Sequence, residues 1–110
     1  MDCLFCKIIA GEIPSKKVYE DENVLAFYDI EPKAPVHVLI ISKQHLAGVR
    51  DVTADNSAAV AHVFAAIPEI AKTLGVTDYR IVSNNGIEAG QTVQHLHFHL
   101  LSGRVLGEMG

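Results

Sequence analysis

The spacing of apolar residues changes along this chain, and each rhythm predicts a different element. From residue 54 to 74 the rhythm is helical: Val60, Val63, Phe64, Ile67, Ile70, Ala71 and Leu74 recur at three- and four-residue steps and make one apolar stripe. Thr53 or Asp55 suits the start as an N-cap, and Gly75 suits the end. Pro68 brings no amide proton and crowds the Phe64 carbonyl, which predicts a kink or a break into two helices. A shorter helix is predicted through CLFCKIIA, residues 3–10, capped by Asp2 and stopped by Gly11 with Pro14 beyond.

Other runs have strand character. Residues 17–20 (KVYE) and 24–29 (VLAFYD) flank Asp21-Glu22-Asn23, which reads as a hairpin turn. Residues 37–41 (HVLII) are continuously apolar after the histidine, as expected of a central strand covered on both faces. IEPKAP, with two prolines, is a loop; residues 79–83 (YRIVS) and 93–101 are the fourth and fifth strands. The predicted fold class is α+β, a five-stranded antiparallel sheet with a long helix packed on it and a short N-terminal helix.

Composition acts mainly by exclusion. At 110 residues, 49% apolar and 20% charged, the chain suits one globular domain, residues 1–110. A net charge of −4 supplies no basic field for a nucleic acid polymer, though it leaves room for one small anion held by local donors. No run approaches the roughly 20 apolar residues of a membrane span. MDCLFCKII is no signal peptide, so a cytoplasmic location is expected, and the two cysteines in C-x-x-C spacing are expected as thiols or metal ligands. Thioredoxin-like chemistry would need that motif after a strand in a βαβ unit.

The chemistry concentrates in HLHFHLL, residues 95–101. Alternation puts His95, His97 and His99 on one face of a strand, about 6.6 Å apart, with Leu96, Phe98 and Leu100 on the other. Three unsatisfied imidazoles would each cost about 1–3 kcal/mol, so that face must be a polar site. One reading is a catalytic zinc held by H-x-H; another is a histidine nucleophile with its neighbours positioning an anion. The preceding SNNGIEAGQTVQ favours the second, because its backbone amides, Asn84, Gln91 and Thr92 can hold phosphoryl oxygens without added charge. His62 is expected on a helix surface without a role.

These residues carry a family resemblance. HLHFHLL is similar to the signature of the histidine triad (HIT) family, three histidines alternating with hydrophobic residues. FCKIIAGEIPSKKVYEDE, LAFYDIEPKAPVHVLIISKQH and NNGIEAGQTV extend the likeness over nearly the whole chain. The small size and the SGRVLG ending resemble the Hint branch of nucleoside phosphoramidases. The transferase branch has glutamine for the third histidine, so His99 implies water as final acceptor.

The resemblance implies a hydrolase of purine nucleoside 5′-phosphoramidates, with acyl-nucleotides as a second substrate class. His97 matches the nucleophile, which forms a nucleotidyl-histidine, with its tautomer fixed by the His95 carbonyl. His99 and His37 match groups that hold the phosphate and assist. Thr92 and Asn84 match contacts to phosphate or leaving group, beside Gly90, Gln91 and Val93. Asp29 matches the carboxylate that takes the ribose hydroxyls, and Phe5, Ile8, Ile13, Phe27 and Ile30 would line the purine slot. By composition alone Phe5, Ile8, Phe27 and Ile30 would be ordinary core. Some family members hold a structural zinc, for which the matching ligands here are Cys3, Cys6, His45 and His95; as a ligand, His95 could not also serve as an acid–base group. A homodimer is implied as well. Two rivals stand beside this reading: a zinc-dependent hydrolase using His95 and His97, and a nucleotide-binding or adaptor module with vestigial turnover.

Overall fold

A computed structural model describes residues 3–108. Five strands form one antiparallel sheet in the order β1-β2-β3-β5-β4: β1 Lys17–Glu20, β2 Val24–Tyr28, β3 Val36–Ser42, β4 Arg80–Val82 and β5 His97–Ser102. The continuously apolar β3 lies in the middle, as its composition requires, with β2 and β5 as neighbours. Asp21 closes the β1–β2 turn by accepting the amides of Asn23 and Val24 at 2.7 and 2.8 Å. The long helix α2, Ala58–Leu74, covers one face, and the short α1, Leu4–Ile9, covers part of the other.

Period-two alternation sorts the sheet into two chemically different faces. Val24 and Ala26 of β2, Val38 and Ile40 of β3, and Phe98 and Leu100 of β5 pack with Leu96 against Val63, Ala66, Ile67 and Ile70 of α2. Leu25, Phe27, Leu39 and Ile41 point the other way and meet Phe5 and Ile8 of α1. Leu100 is fully buried, so Leu100→Ala is expected to cost about 2–5 kcal/mol. Equilibrium urea denaturation would show this as a lower midpoint with an unchanged slope.

Four local expectations are corrected. Helix α2 starts at Ala58 rather than Ala54, because Asn56 closes a turn ahead of it, accepting the Thr53 amide at 2.7 Å and donating to the Asp51 carbonyl at 3.0 Å. Neither Thr53 nor Asp55 is the cap; the residue in that place is Ser57, whose side chain makes no capping bond. The helix runs unbroken through Pro68. That proline and Phe64 lie on the exposed side, where the freed carbonyl can meet water, and Phe64 makes an edge contact with Phe98 at 5.4 Å. Strand β5 starts at His97 rather than Val93, since the chain bends at 93–96 with the Leu96 amide on the Leu46 carbonyl at 2.6 Å.

Smaller adjustments follow. The fourth strand is trimmed to three residues, and α1 begins after Cys3, whose sulfur accepts the Cys6 amide at 3.3 Å. Asp2 lies outside the described residues. Gly75 ends α2 as expected, at φ +73. His62 lies exposed on α2. Among the described residues, no helix is long and apolar enough to cross a membrane.

Candidate active site and metal centre

The face of the sheet opposite α2 floors an open cavity of about 1140 Å³. Strand register builds the floor: Leu39 pairs with His99, Ile41 with His97, and His37 with Leu101 across β3 and β5. The wall toward α1 is apolar, with Phe5, Ile8, Ile13 and Phe27; the rim carries Asp29, Ile30, Gly90, Thr92 and Val93. Thus twelve of the expected site residues, counting His37, His97 and His99, surround one space. Ile30 is 94% exposed at its mouth, a large apolar side chain that the core does not explain.

The hydrogen bonds fix the protonation of each imidazole. His97 is buried, and its Nδ1–H donates to the His95 carbonyl at 2.6 Å, which leaves an unprotonated Nε2. The Lys33 amide donates to His37 Nδ1 at 2.9 Å, so the neutral His37 ring carries its proton on Nε2. That proton is donated to His99 Nδ1 at 2.9 Å, with Asp29 Oδ2 at 3.4 Å beside it. His99 in turn keeps a proton on Nε2. Although Asp29, His37 and His99 lie close enough to hold a cation, the proton on His37 Nε2 occupies the lone pair a metal would need.

Burial keeps these rings neutral. It pushes His97 and His37 below the ordinary value, and His99 down to about 4, where the neighbouring His97 and His37 add to desolvation. In the unfolded chain the same rings take up protons near 6.5. The unfolded state therefore binds more protons between these values, and stability is expected to fall as pH drops from about 6.5 toward about 4. Urea midpoints at a series of pH values across that window would show the decline.

His95 stands apart from this row. It is fully buried, does not line the cavity, and donates from Nε2 to the Ser42 carbonyl at 2.7 Å. Its Nδ1 lone pair points at Cys3 Sγ (3.3 Å), Cys6 Sγ (3.6 Å) and His45 Nδ1 (3.1 Å), and Cys6 Sγ is 3.3 Å from His45 Nδ1. Donors on a tetrahedral zinc lie about 3.3–3.8 Å apart; the sulfur–nitrogen separations fall in that range and the two nitrogens are 0.2 Å short of it, so a small adjustment lets this closed set of two sulfurs and two nitrogens hold that ion. The Ser42 bond is the outer-shell partner a ligating histidine requires. Desolvation and the adjacent Cys3 push the Cys6 thiol up to about 11, the reverse of a low-pKa redox pair.

Two expected phosphate contacts are not on the cavity. Gln91 is buried and braces the loop instead: its Nε2 donates to the Ala47 and Val93 carbonyls at 2.7 and 3.0 Å, and its Oε1 accepts the Gly86 amide at 2.8 Å. The Asn84 amide lies against Gly90 and does not line the cavity. Conversely, Ser83 donates to the His97 carbonyl at 2.8 Å, and Lys16, Lys33 and Arg80 line the space without having been singled out. Alternation along RIV already put Arg80 and Val82 on one face; only the pairing of β4 with β5 shows which face it is.

Comparison with known proteins agrees with this geometry. The model of the HIT domain matches residues 10–106, and the chain belongs to that family. It is 43% identical over 110 residues to an Escherichia coli (strain K12) protein named purine nucleoside phosphoramidase, covering 98% of this chain and 92% of that one. A HIT-like protein of Synechococcus elongatus, uncharacterized, is 49% identical over 106 residues, covering 96% and 93%. Among solved structures, a HIT family hydrolase from Clostridium thermocellum superposes with a TM-score of 0.94 at 47% identity, covering 98% and 96%. A histidine triad protein from Clostridium difficile gives 0.94 at 46%, covering 100% and 97%.

Proposed function

We propose that this protein hydrolyses purine nucleoside 5′-phosphoramidates, with acyl-nucleotides as a second substrate class, through a covalent nucleotidyl-His97 intermediate. The observation that carries the reading is the His97–His95 hydrogen bond: it leaves a neutral Nε2 on a ring that lines the cavity. Nε2 attacks the α-phosphorus, the P–N bond breaks, and the amine leaves with a proton taken from water, which becomes hydroxide. A second water then attacks the same phosphorus, the P–Nε2 bond breaks, the proton it loses neutralises the hydroxide, and the nucleoside monophosphate is released. Asp29 takes the ribose hydroxyls, Thr92 and the Gly90 backbone face the phosphate, and Phe5, Ile8, Ile13, Phe27 and Ile30 hold the base. The relative named a purine nucleoside phosphoramidase supports the substrate class.

The Cys3–Cys6–His45–His95 set would hold a structural zinc, which ties α1 to the loop after β3 and the bend before β5 and supplies no reacting atom. A zinc-dependent hydrolase built on H-x-H is disfavoured, because the free lone pair of His95 faces the cysteines and His97 Nδ1 faces a carbonyl. Two protomers pairing along the edge strand β4 would give the homodimer of an intracellular enzyme. Steady-state release of adenosine monophosphate from adenosine 5′-phosphoramidate tests the reading. Turnover that persists in a chelator is expected. Tight binding of the monophosphate without turnover would favour a binding module.

A further inference from the structure

The proton on His37 is placed by a backbone amide, and something must place that amide. Lys33 lies in the loop between β2 and β3, residues 29–35, where Pro32 and Pro35 provide no amide hydrogen bonds of their own. Asp29 Oδ1 accepts the Glu31 amide at 2.8 Å at the start of the loop. The far side of the loop is held from a distant part of the sequence, the segment that leaves β5. Ser102 anchors that segment by donating to the Asp78 carbonyl at 2.6 Å. Gly103 follows at φ +102, and a Cβ there would lie 2.7 Å from Pro35 Cβ and 3.2 Å from its Cγ. Arg104 Nη2 then donates to the Lys33 carbonyl at 3.2 Å.

We propose that Gly103 and Arg104 are positioning residues for hydrolysis: they seat the 29–35 loop so that the Lys33 amide locks His37 as its Nε2–H tautomer and aims it at His99. This rests on the reading of His97 as nucleophile served by His37 and His99. The requirement for glycine is double, since a side chain at φ +102 is strained and its first carbon overlaps Pro35. Displacing the loop withdraws the donor from His37 Nδ1. The ring can then flip its tautomer, which breaks the bond to His99, or take up a second proton. Burial opposes that proton; of the groups facing the ring, Asp29 favours it, Lys33 opposes it, and the neutral His99 accepts the Nε2–H bond.

The test compares wild type with Gly103→Ala and Arg104→Ala, with Arg104→Lys as the conservative control. In Gly103→Ala, kcat for adenosine 5′-phosphoramidate is expected to fall about tenfold with KM within about twofold, the signature of a group misplaced for the chemical step. The acid limb of its rate profile moves to higher pH, and ¹⁵N NMR of the imidazoles shows His37 shifting from one tautomer to a mixture. Arg104→Ala is expected to do the same to a smaller extent, because its contact is exposed, and Arg104→Lys to recover part of the loss. Should Gly103→Ala not fold, the arginine pair still decides. An unchanged His37 spectrum in every folded variant would overturn the proposal, as would loss of kcat with the tautomer intact. The NMR arm uses no substrate, so it separates failure of the loop seat from failure of His97 as nucleophile.

Discussion

His97→Ala is expected to abolish measurable hydrolysis, a fall of at least about a thousandfold, while the protein remains folded. The expectation is large because a covalent route has no substitute for its nucleophile: removing Nε2 leaves only positioning by His99, Thr92 and the cavity walls. Structurally the change is modest by comparison. It deletes the edge contact with Phe5 at 5.1 Å and orphans the His95 carbonyl, a loss of about 1–3 kcal/mol. Binding of adenosine monophosphate, followed by calorimetry, is expected within about threefold of wild type, because the base and ribose contacts lie elsewhere. Turnover in this variant within tenfold of wild type would place the reacting group on another residue.

Withdrawing zinc has the second largest expected effect, on stability rather than rate. Elemental analysis of protein purified without chelators is expected to give one zinc per chain, and none in the Cys3→Ser, Cys6→Ser double variant. A ligand held a thousandfold above its dissociation constant adds about 4 kcal/mol. For a domain of this size the loss shifts the thermal midpoint by roughly 15 °C or more. The fold has two apolar clusters of its own, so the stripped protein should unfold earlier rather than be unfolded at the outset. Catalysis should survive below the lowered midpoint. The His95 ring keeps its Ser42 bond, and the Leu96 amide keeps the Leu46 carbonyl, so the bend that offers the His95 carbonyl to His97 is held without metal. Calorimetry with and without chelator checks the first part; initial rates at low temperature check the second.

The sheet and the histidine face were largely legible in the sequence because both rest on period-two alternation. Once β3 is central and continuously apolar, Leu96, Phe98 and Leu100 can face only α2, and His97 and His99 only the opposite side. What was not legible depends on contacts distant in sequence. His95 shares the alternation of its neighbours, yet the bend at 93–96 turns it into the sulfur cluster, and nothing in HLHFHLL itself announces that bend. Gln91 reads like a phosphate ligand but closes a loop, because burial leaves its amide no choice except backbone partners. The Lys33 amide is invisible to any reading by side-chain type. Pro68 misled in the opposite sense: its cost depends on whether the released carbonyl faces core or water, which the helix orientation decides.

The covalent step is tested most directly by the intact mass of enzyme quenched during turnover of a slow adenosine 5′-phosphoramidate, with His97→Ala alongside. The geometry of His97 predicts an adenylate adduct that forms before steady state, maps to His97 by fragmentation, and is absent from the variant. Product formed at the same rate with no adduct at any time from the first turnover onward would contradict it.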